Sequence, residues 1–166
     1  MPREWMYILF IVLSGGVFFT MSSPELAAHI GWLFLAFAAL FLGYVISTGI
    51  KARNNVHKQG KDNDAISVHR IHISILTTAI LLGVVGMEIS VRRSGGLWGD
   101  PLMIAFHLTL VLLTVITFSL ARFHSTGIKN PKKHKQIVYA FSVLFIATFT
   151  TGTILLFEEF SFFEIL

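Results

Sequence analysis

The sequence predicts an all-α integral membrane protein: a helical bundle of five transmembrane helices, the last four forming a core. Three observations carry this reading. Hydrophobic residues make up 54% of the 166 residues and charged ones only 13%, with 16 phenylalanines, more apolar surface than a soluble domain of this length can bury. The apolar residues fall into five helix-length runs, and the Lys and Arg residues gather in the segments between them. A helix rises about 1.5 Å per residue, so about 20 residues cross the hydrocarbon layer of roughly 30 Å.

In chain order the predicted spans are 5–20, 27–49, 71–90, 102–121 and 137–157. The first is short, and Arg3 before its apolar run resembles the start of a signal peptide. No small-x-small cleavage site precedes Pro24, so it is read as a retained helix. The second and fourth follow Pro24 and Pro101, residues suited to a first helical turn, and Asp100 is the expected cap of the fourth. A start at Pro131 rather than 137 would draw His134 into the fifth helix. The longest polar stretch, 51–70, is expected to be a loop with a turn at Gln59-Gly60, leaving one membrane domain over 1–166 with its core at 27–157.

Charge predicts orientation. With the N-terminus inside, the inner side receives Arg3, then Lys51, Arg53, Lys58, Lys61 and Arg70, then Arg122, Lys129, Lys132, Lys133 and Lys135. These are eleven of the 13 basic residues, against Arg92 and Arg93 outside. The C-terminal Glu158, Glu159 and Glu164 would be external and the N-terminus cytoplasmic. The basic pI near 9.6 is thereby explained by topology, and no nucleic-acid partner is expected.

Histidine placement is the chemical signal. His29, His72, His107 and His134 lie near the starts of four successive spans, so in an alternating topology His29 and His107 share the outer side and His72 and His134 the inner. Two imidazole pairs at two depths are what two axially ligated haems require. The absence of cysteine removes iron-sulfur clusters, zinc-thiolate sites and covalent haem attachment, leaving non-covalent b-type haem, with His29 and His107 on the outer iron and His72 and His134 on the inner one. Position i+14 returns to nearly the same helix face about 21 Å further along. From the four histidines it falls on Gly43, Gly86, Ala121 and Thr148, small residues that leave room for the other macrocycle or else permit close helix packing. Two six-coordinate irons have no open position, so they exchange electrons and do not activate substrate. His69, one turn before His72 on the same face, is a rival for the inner ligand. Lys51, Arg53, Arg70 and Arg122 inside, with Arg92 and Arg93 outside, are candidate contacts for haem propionates. Each also serves as a topology signal.

The segments HIGWLFLAFAALFLGYVISTGIKAR, HRIHISILTTAILLGVVG, HLTLVLLTVITFSLARFH and KKHKQIVYAFSVLFIATFTTG together resemble the four-helix core of the cytochrome b561 family, dihaem proteins that pass electrons across membranes. GMEISVRRSGGLWGDP, followed by a His-bearing helix, is similar to a small bacterial and cyanobacterial branch related to that core. The resemblance implies two haem b groups, the pairings His29 with His107 and His72 with His134, and His72 with Gly86 in preference to His69. It implies an oxidoreductase-type electron-transport role linked to quinol or a small electron carrier in the lipid bilayer, alone, as a homodimer or within a respiratory complex. The family's ascorbate-handling loop is not recognisable, and the family's sixth span has no counterpart after the core. Two further readings stay open: a haem-free assembly or structural subunit of a respiratory complex, and a proton-relaying transporter, the latter disfavoured because no carboxylate lies mid-span.

Overall fold

The computed structural model describes residues 3–59, 64–96, 100–125 and 130–160, with side chains throughout except at 3–5, 56–59, 122–125, 131 and 158–160. Gly60 of the predicted Gln59-Gly60 turn, Lys61, Lys129 and Glu164 therefore lie outside the described residues, as do the side chains of Arg3, His57, Lys58, Gln59, Arg122, His124, Glu158 and Glu159. Five helices form: α1 (Arg3–Met21), α2 (Pro24–Gln59), α3 (Asp64–Arg93), α4 (Pro101–Ser125) and α5 (Pro131–Phe160). The protein is an integral membrane protein: α2 to α5 are each long and apolar enough to cross a membrane. The apolar run of α1, Met6–Met21, is shorter and rises only about 24 Å.

Helix boundaries extend past the expected spans for identifiable reasons. Beyond 49, α2 continues through Lys51, Ala52 and Arg53, good helix formers with no Gly or Pro to stop them, so part of the expected 51–70 loop is helix. On the other side of that loop α3 begins at Asp64, an acidic residue suited to a helix N-terminus. At the start of α4 the Leu102 amide donates to Asp100 Oδ1 at 3.1 Å, the expected cap. Asn130 caps α5 in the same way, accepting from the Lys133 amide at 3.2 Å, and the His134 amide donates to the Asn130 carbonyl at 3.1 Å. His134 is thus in the first turns of α5, as a start at Pro131 requires. After α3 the chain turns at Gly95 and Gly96, with φ of 97° and 129°, a backbone region that excludes most side chains.

Two compact units result, Met1–Gly96 and Leu97–Leu166. In the first, α2 and α3 are antiparallel, with the start of α2 beside the end of α3. The buried Ser90 hydroxyl donates to the Pro24 carbonyl at 2.7 Å. The two backbones meet at Gly31, where a Cβ would lie 3.0 Å from the Gly83 carbonyl oxygen and 3.0 Å from the Met87 amide. Only small residues permit that approach, and in lipid it is packing of this kind that holds helices together. Helix α1 lies on α3, with Gly15 against Leu82 and Gly16 against Val85, and Phe19 is buried with Ala27 and Leu82. Arg93 donates to the Thr20 and Ser22 carbonyls, tying the end of α1 to the end of α3.

The second unit is the antiparallel pair α4 and α5. Phe118 meets Phe141 with ring centroids 5.3 Å apart, and Thr114 and Thr148 share a hydrogen bond of 2.8 Å. Large apolar residues such as Leu40 (83% exposed) and Leu102 (77%) point outward, as a lipid solvent favours and water does not.

Candidate functional site

Each unit presents imidazoles at both ends of an antiparallel helix pair. In the first unit His29 lies on α2 at the end where Ser90 meets Pro24. His72 lies at the opposite end, with its ring 4.8 Å from that of Tyr44 and 5.9 Å from that of Phe41. From 29 to 44 along α2 the rise is about 22 Å. In the second unit His107 lies beside Thr151, near the end of α5, and His134 near its start. From 134 to 151 the rise is about 26 Å. The two levels expected within each helix pair are therefore present in both units.

At His29 the hydrogen bond defines which ring nitrogen carries the proton. His29 Nδ1 is 2.6 Å from the Glu25 carbonyl oxygen, an acceptor only, so Nδ1–H donates. The Thr151 hydroxyl lies 2.8 Å from His107 Nδ1 and also reaches the Ala147 and Thr148 carbonyls at 3.0 and 3.1 Å. The Thr48 hydroxyl likewise reaches the Val45 carbonyl at 2.9 Å and lies 3.2 Å from His69 Nδ1, with His72 Nδ1 further off at 3.4 Å. A neutral imidazole with Nδ1 protonated keeps its lone pair on Nε2, the arrangement that orients metal-ligating histidines. All five rings, of His29, His69, His72, His107 and His134, are half-buried.

The positions fourteen residues on from the histidines differ among themselves. Gly43 has no heavy atom within 4 Å of where a Cβ would stand. Gly86 does not face open space: its Cβ would lie 2.9 Å from the Phe19 ring and 3.0 Å from Gly31 Cα. The room that the spacing assigns to Gly86 is filled by the unit's own packing. The spacing does not discriminate on α3 in any case, since His69 plus fourteen falls on Gly83, also a packing glycine against Leu35 and Gly31. Thr148 is engaged with Thr114, and Ala121 is half-buried on α4.

Among the expected propionate contacts, Lys51, Arg53 and Arg70 are exposed, and the side chain of Arg122 is outside the described residues. Arg92 pairs with Glu88 on its own helix at 2.6 Å, and Arg93 binds the carbonyls that end α1. Both arginines thus already have partners within the first unit.

Sequence reasoning assigned no imidazole contact to Thr48, Gly49, Thr151 or Gly152. Their signal was a Thr-Gly dipeptide in α2 and again in α5, uninformative until the cross-helix register is known. Among the described residues no three or more His, Cys, Asp or Glu side chains gather as a metal site; a bis-imidazole iron needs only two. The chain matches no protein-family model, no curated protein and no solved structure.

Proposed function

We propose that the protein carries electrons across the membrane through two b-type haems, each held by two histidines. One is assigned to His29 and His107, the other to His134 and an α3 histidine, His72 or His69. The observation that carries this reading is the hydrogen bonding of the rings: His29 Nδ1–H donates to the Glu25 carbonyl, leaving Nε2 as its basic nitrogen, and His107 Nδ1 is held at 2.8 Å by the Thr151 hydroxyl. The residues present fit the group in another respect, because Gly43 leaves its Cβ direction clear. Bound haem iron would supply one-electron chemistry, and two imidazoles per iron would exclude oxygen and substrate from the metal.

The chain's own residues then have defined tasks. Glu25 and Thr151 orient the rings of His29 and His107, and the apolar helix surfaces keep water from the metal sites. Exposed Lys51, Arg53 and Arg70 offset propionate charge at the membrane edge, on the cytoplasmic side if Lys and Arg set the orientation. A quinol already dissolved in the bilayer, or a small carrier on the far side, is the partner class proposed.

Pyridine haemochrome assay of the purified protein should return about two haems per chain. A value near one removes the transmembrane path. A value near zero removes the electron-transfer reading and favours a haem-free subunit of a respiratory complex.

A further inference from the structure

Two imidazoles in this protein are held in the same way by the same dipeptide. In α5, Thr151 Oγ1 lies 2.8 Å from His107 Nδ1, while the next residue, Gly152, lies so close to the ring that a Cβ would stand 2.9 Å from His107 Cε1. In α2, Thr48 Oγ1 lies 3.2 Å from His69 Nδ1, and a Cβ on Gly49 would stand 2.8 Å from His69 Cε1. In both cases the histidine belongs to the antiparallel neighbour in the same unit. In both, the threonine hydroxyl also reaches a carbonyl of its own helix, Ala147 for Thr151 and Val45 for Thr48, and with its proton placed there it accepts from the ring.

We infer that Thr48-Gly49 and Thr151-Gly152 are equivalent imidazole seats, and that His69 rather than His72 is the counterpart of His107. The threonine sets the tautomer, with Nδ1 protonated and the lone pair on Nε2, and the glycine admits the ring edge to the helix backbone. His72 is held differently. Its Nδ1 is 3.4 Å from Thr48, beyond a good hydrogen bond, the nearest contacts of the glycine Cβ positions among the described residues do not include its ring, and that ring packs edge-on against Tyr44 and Phe41. On the proposed haem reading, on which this assignment of a ligand rests, His69 rather than His72 would be the α3 residue that holds a haem iron, through Nε2. Thr48 and Thr151 are positioning residues: a hydroxyl accepting from Nδ1–H raises the basicity of Nε2 and so tunes the metal it binds.

The seats are tested first without haem. Nitrogen-15 NMR of the full chain in nanodiscs, with labelled histidine, reads the protonated ring nitrogen directly. His69 and His107 should both be Nδ1–H. Thr48→Val should abolish that preference at His69 alone and Thr151→Val at His107 alone, with Thr→Ser restoring each. An Nε2–H form at either histidine in the unaltered chain, or indifference to the valine variants, overturns the seats. The ligand assignment is read on haem-loaded protein by haemochrome stoichiometry and low-temperature electron paramagnetic resonance. His69→Ala should lose one haem and His72→Ala should keep both, while Thr48→Val keeps both haems but shifts the low-spin signal of one. Loss of a haem in His72→Ala with retention of both in His69→Ala overturns the assignment. If the unaltered chain binds no haem, the electron-transfer reading and the ligand role fall together, while the nitrogen pattern still decides the seats.

Discussion

Glycines 31 and 43 lie on the same helix and should respond to the same substitution with opposite signs. Replacing either with alanine gains the same helix propensity, about 0.5–1 kcal/mol, so that contribution cancels when the two variants are compared. What differs is the neighbourhood. At Gly31 the new methyl would stand 3.0 Å from the Gly83 carbonyl oxygen, 3.0 Å from the Met87 amide and 3.2 Å from the Gly86 carbonyl carbon. All three atoms are backbone, so no side chain can swing aside and α2 must move away from α3, at a cost of about 1–3 kcal/mol. At Gly43 nothing stands within 4 Å. Gly31→Ala should therefore be less stable than Gly43→Ala by about 1–3 kcal/mol, measured as unfolding in mixed detergent-dodecyl sulfate micelles by loss of helical circular dichroism. Equal stabilities, within about 0.5 kcal/mol, would refute the close backbone crossing. The open side of Gly43 gives the experiment a second arm, because Gly43→Leu should leave apo stability near that of Gly43→Ala while lowering haem content. Unchanged haem content in that variant would remove Gly43 from the haem cradle.

The buried Ser90 hydroxyl on the Pro24 carbonyl is the side-chain link between the end of α3 and the start of α2; Ser90→Ala should cost about 1 kcal/mol in the same unfolding assay. Thr114→Val should cost about 0.5–1.5 kcal/mol by leaving Thr148 without its cross-helix partner, and the double variant with Thr148→Val should recover part of that loss. Arg93→Gln should speed proteolysis between α1 and α2, since Arg93 holds the Thr20 and Ser22 carbonyls. Arg92→Gln should not, because its pair with Glu88 is solvent-exposed and worth little. In proteoliposomes with a trapped oxidised dye, external reductant should reduce the dye through the unaltered protein but not through His29→Ala; undiminished reduction after confirmed loss of one haem would exclude a path through both.

Membrane insertion and the number and order of the helices were legible in the sequence because they depend on local composition: an apolar run of sufficient length has one stable state in lipid, whatever its neighbours. Local chemistry likewise identified Asp100 as a cap, but left the start of the fifth helix between 131 and 137, and the structure starts it at Pro131, which carries His134 into α5. The sequence did not determine which partner each small residue serves. Gly43 and Gly86 hold the same spacing from a histidine, yet one faces open space and the other is closed by Phe19 and Gly31, a difference made by where α1 lies on α3. His69 and His72 share a helical face and a glycine fourteen residues on, so periodicity could not separate them. Only the antiparallel register of α2 on α3 brings Thr48-Gly49 against His69 and Tyr44 against His72. Side-chain period is a property of one helix, whereas register is set by the contact between two, here by glycines that let the backbones touch.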